Sequence, residues 1–294
     1  MIYQKFKNIN FSRICFGCEP LGGFNWGDVD IHQIEKAINL SLDLGLNFFD
    51  TADVYGLGLS EERLSSILGS RRHDLIISTK GGVSWKKKGL EIETSRNSSK
   101  NYIRSAVEKS LKRLKIDILP VYFVHWPDNF SNIEETFSML NELQDEEKIG
   151  LIGCSNFTST DIKKALNVCD LSLIQLPMNS IIELPDQEIL NICKEFKIKI
   201  LAYNVLASGI LTGKFDYSAK FPETDRRHRL EDFSSTHFSK QLKKVEILKM
   251  KAKKKNLSLL DFSIQWALKQ ENVLSAITGI KNLDQANKNI NAVI

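Results

Sequence analysis

Residues 47–58 read NFFDTADVYGLG, and this stretch decides how the rest of the chain is interpreted. Asn47–Phe49 is a short apolar run that predicts a buried strand, and Asp50 ends it. Tyr55 follows five residues later, before a helical pattern that opens at Ser60. Because an unpaired buried carboxylate costs several kcal/mol, we expect Asp50 to have a cationic partner.

Two further strand-like runs also end on a polar side chain. Leu75–Thr79 is followed by Lys80, and Val121–Val124 is followed by His125. In a parallel barrel the carboxyl ends of the strands lie on one face, where the chemistry of such folds is found. The pattern therefore predicts that these side chains meet Asp50.

Each of the four polar residues also has an ordinary explanation when it is taken alone. Asp50 is typical of a cap or turn, Tyr55 of packing, and Lys80 of a solvated strand end. His125, followed by Trp126, is equally typical of a hydrogen-bonded core histidine. Their joint placement at three strand ends favours a functional cluster.

Strand-like and helical patterns alternate along the whole chain. The strands are predicted at residues 13–18, 47–49, 75–79, 119–124, 151–153, 173–176, 199–203 and 273–277. The helices are predicted at 32–44, 60–69, 102–114, 133–147, 158–168, 186–196, 238–255, 258–270 and 283–292. The fold class is therefore predicted to be α/β, as a single (β/α)8 TIM barrel domain over residues 1–294. Residues 81–100 and 207–236 are predicted to be polar loops.

The composition excludes some classes of protein. The chain is 42% hydrophobic, and its 40 basic and 36 acidic residues give a net charge of +4. This mild excess does not indicate a nucleic-acid binder, although it suits anionic ligands such as nucleotides. No apolar run approaches the roughly 20 residues that span a bilayer, and the first residues do not resemble a signal peptide. We expect a cytoplasmic protein without a membrane segment.

The cysteines and histidines do not predict a metal site. The five cysteines include one C-x-x-C pair, Cys15 and Cys18, but no second pair, so reduced core thiols are expected. The five histidines show no H-x-H or H-E-x-x-H spacing. A metal-dependent barrel hydrolase is therefore disfavoured.

Several segments resemble the aldo-keto reductases over nearly the whole chain. FFDTADVYG (48–56) resembles the segment with the family's catalytic Asp and Tyr, STKGG (78–82) the Lys segment, and YFVHWPD (122–128) the His segment. GLIGCSNF (150–157) resembles the family's fifth-strand signature. The resemblance implies that Asp50, Tyr55, Lys80 and His125 form a catalytic tetrad. It implies NADP(H)-dependent reduction of an aldehyde or ketone, with sugars and sugar nucleotides among the candidate substrates.

The resemblance also implies a cofactor site. Its implied residues are Ser155, Asn156, Gln175, Tyr203, Leu206, Gly279, Lys281, Gln285 and Asn289. The first three would bind the nicotinamide carboxamide, Tyr203 would stack on the ring, and Lys281 would meet a 2′-phosphate. Lys281 lies before the last predicted helix, where barrel phosphate sites are often found. Asn204, Val205, Thr278 and Lys288 depart from the family pattern, which leaves NAD(H) open as the alternative cofactor.

The tetrad would supply the proton for carbonyl reduction. A free tyrosine has a pKa near 10, and an ammonium within about 4–6 Å favours the phenolate. We therefore expect Lys80 to lower the pKa of Tyr55 while Asp50 holds Lys80. His125 would orient the carbonyl oxygen, and a nicotinamide must supply the hydride.

The loops suggest walls for a substrate pocket. The candidates are Glu19, Phe24, Trp26, Trp85 and Trp126, although simple packing explains each aromatic residue about as well. The loops also carry basic residues: Lys86, Lys87, Lys88, Arg226, Arg227 and Arg229. A solvated charged face is the default interpretation of these residues. The sharper hypothesis is an anionic substrate, such as a sugar nucleotide or a phosphorylated sugar.

A second function remains open. The potassium-channel β-subunits of the same family keep the barrel and the cofactor but act as regulatory subunits with slow turnover. The sequence does not separate this alternative from a reductase of small carbonyl compounds, and it does not predict an oligomeric state.

Overall fold

Eight parallel strands close into a barrel in their chain order. The computed structural model describes residues 1–23, 26–88, 91–182 and 184–293 of the protein. The strands are β1 Tyr3–Phe6, β2 Ile9–Ser12, β3 Ile14–Gly17, β4 Phe48–Asp50, β5 Ile76–Gly81, β6 Val83–Lys88, β7 Glu91–Arg96, β8 Leu119–Val124, β9 Ile149–Ser155, β10 Leu171–Pro177, β11 Lys199–Tyr203 and β12 Val273–Gly279. The barrel consists of β3, β4, β5 and β8 to β12, and β12 pairs with β3 to close it.

Helices connect the barrel strands and cover their outer faces. They are α1 Ile31–Asp43, α2 Leu59–Leu68, α3 Lys100–Leu114, α4 Ile133–Asp145, α5 Ser159–Leu166, α6 Gln187–Glu195, α7 Ser235–Lys253, α8 Leu259–Leu268 and α9 Leu283–Asn291. In α1, Ile34, Ala37 and Ile38 recur at helical spacing and bury one face. The Asp30 side chain accepts hydrogen bonds from first-turn amides and fixes the start of this helix. The predicted (β/α)8 barrel is confirmed.

The inside of the barrel is a packed core. Its buried residues are Phe11, Cys15, Phe48, Ile76, Val121, Phe123, Leu151, Leu173, Leu201 and Leu274. Successive residues of a strand face opposite ways, so Cys15 lies inside while Phe16 packs in the outer cluster. Phe11 comes from the β1–β2 hairpin, which the sequence did not predict. This hairpin packs against the end of the barrel where the strands begin.

Residues 81–100 are not the polar loop that the sequence suggested. They contain an antiparallel hairpin, β6–β7, in which Val83 pairs with Arg96 and Lys86 with Glu93. The lysine run hides the alternation of apolar and polar residues that normally reveals a strand. Opposite charges on paired residues such as Lys86 and Glu93 favour the hairpin.

Residues 207–236 also contain regular structure, although the sequence predicted a polar loop there. Short 3₁₀ helices occupy residues 207–212, 226–228 and 231–233. The segment packs on α7 through a cluster of rings, with Phe221 lying 4.9 Å from Phe233 and 6.2 Å from Phe238 between ring centroids. These phenylalanines are dispersed in the sequence, so their clustering was not visible there.

Three further expectations concern thiols, membranes and domains. All five cysteines are free and buried, as expected of core thiols. In the described ranges, we find no helix of the length and apolarity needed to cross a bilayer. That residues 1–294 form one domain stays a prediction.

Candidate active site

A buried ion pair lies where β4 and β5 end. Lys80 Nζ is 2.7 Å from Asp50 Oδ2 and 2.8 Å from the carbonyl oxygen of Thr51. The same ammonium lies 3.5 Å from the Tyr55 hydroxyl and 4.9 Å from the centre of its ring. Lys80 is therefore the cation beside Asp50, and it also contacts Tyr55.

Both oxygens of the Asp50 carboxylate accept hydrogen bonds. Its Oδ1 accepts hydrogen bonds from Ser78 Oγ and from Gln175 Nε2, both at 2.7 Å. Gln175, which the family resemblance implies as a nicotinamide contact, lines the cavity, and its amide nitrogen donates to Asp50. Ser78 was overlooked, although it is the residue that pairs with Asp50 across β4 and β5. These bonds allow a charged carboxylate to remain buried.

Burial changes the expected behaviour of Tyr55. It raises the pKa of the Tyr55 phenol well above its ordinary value, and the nearby carboxylates of Glu19 and then Asp50 raise this pKa further. The expected lowering by Lys80 is not found, because at 3.5 Å its ammonium does not outweigh the loss of solvation. Tyr55 is thus a neutral phenol at physiological pH, and it can donate a proton.

His125 faces Tyr55 across the barrel mouth. The ring centroids lie 6.0 Å apart at 85°, and the His125 backbone N–H donates to Gly81 at 2.7 Å. Burial, followed by the charge of Lys80, lowers the pKa of His125 well below its ordinary value. The imidazole is therefore neutral, and its buried Nδ1 has no partner within the described structure.

Asn156 organises the residues beside the tetrad. Its Nδ2 donates to Ser155 Oγ at 3.1 Å and to the His125 carbonyl oxygen at 3.0 Å. Its Oδ1 accepts a hydrogen bond from the Tyr203 hydroxyl at 3.0 Å. Ser155, Asn156 and Tyr203 are thus brought together next to His125 and line one cavity.

The cavity has a volume of about 1240 Å³ and extends from the tetrad to α9. That is larger than most pockets for a single small molecule and suits a dinucleotide together with a substrate. Besides His125 Nδ1, two buried polar atoms of lining residues, Thr278 Oγ1 and Trp26 Nε1, have no partner among the described residues. Unpaired buried donors and acceptors usually mark a bound water or ligand, so the lining fits an extended polar cofactor.

The far end of the cavity is formed before and along α9. Lys281 N–H donates to Gln285 Oε1 at 2.9 Å, and Lys281 Nζ donates to the Trp26 carbonyl oxygen at 2.8 Å. Asn289 and Gly279 also line this end, as does Leu206 further in. Arg227 adds a second cation there, because its guanidinium and the Lys281 ammonium lie 5.9 Å and 5.0 Å from the centre of the Trp26 ring. Burial lowers the pKa of Lys281, and the like charge of Arg227 lowers it further.

Two loops meet over the cavity, a contact that the sequence did not predict. Trp26 forms a backbone bridge with Asp225, and Arg226 Nη1 lies 2.5 Å from Glu19 Oε1. Arg227 pairs with the buried Asp225 carboxylate. Arg226 and Arg227, which the sequence treated as a charged face, are in fact lining residues.

The candidate pocket walls divide into three groups. Glu19, Trp26 and Trp126 line the cavity. Trp85 lies on the β6–β7 hairpin and is not among the described lining residues. Phe24 lies outside the described residues. Over the same described ranges, no group of three or more His, Cys, Asp or Glu side chains is arranged to hold a metal ion.

Comparison with known proteins identifies the family. The model of the Aldo/keto reductase family matches residues 13–294. The chain belongs to the aldo/keto reductase family. It is therefore an oxidoreductase, and the resemblance seen in the sequence is confirmed.

Individual relatives support the same conclusion. The chain is 34% identical to "Aldo-keto reductase YhdN" of Bacillus subtilis, over 94% of this chain and 83% of that protein. It is 32% identical to a "Probable voltage-gated potassium channel subunit beta" of Arabidopsis thaliana, over 99% and 91% of the two chains. Its structure resembles that of the glycerol dehydrogenase AKR11B4 from Gluconobacter oxydans, with a TM-score of 0.89 and 31% identity. The match covers 98% of this chain and 89% of that chain.

Proposed function

We propose that this aldo-keto reductase reduces an aldehyde or ketone with NADP(H), and that Tyr55 is the proton donor. The observation that carries the proposal is the convergence of Tyr55, Lys80, Asp50 and His125 at the inner end of one long cavity. This geometry supports a site in which a proton donor lies beside a polar residue that can orient a carbonyl.

Each residue of the tetrad has a definite task in this proposal. A nicotinamide, once bound, would supply the hydride. Tyr55 gives its proton to the substrate oxygen as negative charge develops there. The Lys80 ammonium, 3.5 Å away, stabilises the phenolate that remains, and Asp50 holds Lys80 in place.

His125 would orient the substrate oxygen. As a neutral imidazole it carries one N–H, and Nδ1 has no protein partner among the described residues. A neutral donor suits this role because it does not compete with Tyr55 as the source of the proton. Its backbone bond to Gly81 keeps the ring at the barrel mouth.

NADP rather than NAD is proposed from charge at the far end of the cavity. The Arg227 guanidinium lies near the Phe215 ring together with Lys214, and near the Trp26 ring together with Lys281. Arg227 pairs with Asp225, and the other carboxylate acting on Lys281, Glu19, pairs with Arg226. Lys214 and Lys281 therefore leave an excess of positive charge, which the additional phosphate of NADP would balance. In the nicotinamide half, Ser155, Asn156, Gln175 and Tyr203 are proposed to hold the ring.

The basic loops do not favour an anionic substrate. Arg226 pairs with Glu19, and Arg227 pairs with Asp225 while its guanidinium lies 4.5 Å from the centre of the Phe221 ring. These arginines are neutralised where they reach the cavity. We therefore propose a neutral carbonyl substrate over a sugar nucleotide or phosphorylated sugar. We also propose a cytoplasmic location, as expected from the sequence.

The deciding experiment is a steady-state screen of NADPH and NADH oxidation by the purified chain. Sugar, aliphatic and aromatic carbonyl compounds would be compared, each with both cofactors. Multiple turnovers with NADPH, and a lower KM for NADPH than for NADH, are expected. Cofactor that stays bound through less than one turnover with every carbonyl compound would instead favour the channel β-subunit alternative, which the Arabidopsis relative's name suggests.

A further inference from the structure

Glu19 and Arg226 form an ion pair across the mouth of the catalytic cavity. They lie 207 residues apart in the sequence, on the two loops that meet over the barrel. Arg226 Nη1 lies 2.5 Å from Glu19 Oε1, and their side chains are 38% and 31% exposed. Both residues line the cavity, so the pair is reachable from inside it.

The pair lies close to the proposed proton donor, because Glu19 belongs to a short 3₁₀ turn whose Gly22 packs against the backbone of Tyr55. Glu19, Arg226 and Tyr55 all line the same cavity. Glu19 has the largest effect of any charged group on Tyr55, ahead of Asp50, and it raises the pKa of the phenol. Arg226 acts in the opposite direction. A molecule whose carbonyl oxygen reaches Tyr55 would therefore place its neighbouring atoms near both charged side chains.

Aromatic and apolar side chains also line the cavity. The Arg226 guanidinium lies 5.5 Å from the centre of the Trp26 ring, and Pro20 and Trp126 are among the other lining residues. In such a wall, the Glu19 carboxylate is a hydrogen-bond acceptor and the Arg226 guanidinium is a donor. A hydroxyl group can satisfy both, because it donates one hydrogen bond and accepts others. A plain alkyl chain satisfies neither.

We propose that Glu19 and Arg226 recognise a hydroxyl group beside the reacting carbonyl, so that the substrates are neutral hydroxylated aldehydes or ketones. The inference rests on the proposed reductase function and specifies its substrate class. Glu19 and Arg226 are specificity-determining residues in this proposal, and the tetrad retains the chemistry.

Charge also explains why the pair selects against anions. A carboxylate or phosphate bound to Arg226 would lie beside the Glu19 carboxylate, and two like charges in close contact repel each other. A neutral hydroxyl avoids this repulsion and leaves the ion pair intact. The net charge of the pair is zero, so it does not attract anions from a distance.

The experiment measures kcat/KM of the full chain with NADPH for three aldehydes. Glyceraldehyde carries the neighbouring hydroxyl, propanal lacks it, and glyoxylate is anionic. The ratio of kcat/KM for glyceraldehyde to kcat/KM for propanal is compared between the unaltered chain, Glu19→Gln and Arg226→Met. Comparing this ratio across variants cancels the difference in hydration between the two aldehydes. Sites built to bind a hydroxyl reject the analogue without it strongly. Because the two side chains are partly exposed and already bind each other, we expect the ratio to fall by only about tenfold in each variant.

The matched control is Glu188→Gln. Glu188 pairs with Lys163 at 2.5 Å on the outer helices and does not line the cavity, so its substitution should leave the ratio unchanged. Arg226→Lys keeps the charge but loses the planar pair of donors, and it replaces Arg226→Met if that variant does not fold.

Two results would overturn the inference while leaving the reductase function standing. One is an unchanged ratio in both cavity variants. The other is a preference for glyoxylate that is lost on substitution of Arg226, which would show that Arg226 binds an anion. Absence of NADPH oxidation with all three aldehydes would instead overturn the proposed function itself.

Discussion

Replacing Lys80 with methionine tests the centre of the site. Met has a similar length and no charge, so the variant Lys80→Met removes the ammonium while it fills most of the same space. The Asp50 carboxylate then remains buried without its cation. Both side chains are almost fully buried, at 1% exposure for Lys80 and 3% for Asp50, so water does not replace the lost partner.

The structure sets the size of the effect. Asp50 Oδ2 loses its hydrogen bond of 2.7 Å to Lys80, whereas Oδ1 keeps its two bonds to Ser78 and Gln175. Breaking a buried ion pair on one side costs about 3–5 kcal/mol, and we expect Lys80→Met to lower the free energy of unfolding by that amount. The double variant Asp50→Asn/Lys80→Met removes the stranded charge and should recover about 2 kcal/mol or more of the loss.

Urea unfolding followed by circular dichroism would measure all four members of this cycle at neutral pH. The coupling between Asp50 and Lys80 is obtained from the difference between the double variant and the sum of the single variants. Additive effects, or a loss below about 1 kcal/mol for Lys80→Met, would refute the reasoning, because both would mean that the pair is solvated.

Three further predictions concern activity. Tyr55→Phe should lower kcat for carbonyl reduction by about 10²–10⁴-fold through loss of the proton donor. Its Kd for NADPH, measured by fluorescence, should stay within about threefold, and full activity would remove Tyr55 from its proposed role. Lys281→Met should raise KM for NADPH by about 10-fold or more, with a smaller change for NADH, and equal changes would count against a phosphate contact. Reduction needs the protonated phenol, and Glu19→Gln removes a charge that raises the pKa of Tyr55. As the pH rises, activity should therefore be lost at a lower pH in this variant than in the unaltered chain. The pH profile of kcat/KM checks this shift, and Glu188→Gln should leave the profile in place.

Much of the site could be predicted because it depends on local patterns. Asp50, Lys80 and His125 each follow a strand-like run, and a parallel barrel places all such positions on one face. Ser155 and Asn156 follow the same rule after β9. The boundaries of β8 and β11 matched the prediction at both ends.

Features that join distant parts of the chain could not be predicted in this way. Gln175 reaches Asp50 across 125 residues, so the hydrogen bond between them could not be read from a local pattern. The β6–β7 hairpin was hidden by its lysine run, and the aromatic cluster around Phe221 depends on how its loop folds back. No periodicity in the sequence records these contacts.

The sequence by itself determined the barrel, the family and the strand ends that hold the polar groups. These follow from hydrophobic periodicity and from short local segments. Only the tertiary structure decided that the pKa of Tyr55 is raised and that Glu19 meets Arg226 above it. The burial of the Tyr55 phenol and the charges around it come from loops that are far apart in the chain. The distances from these loops to the phenol are fixed only once the barrel has closed.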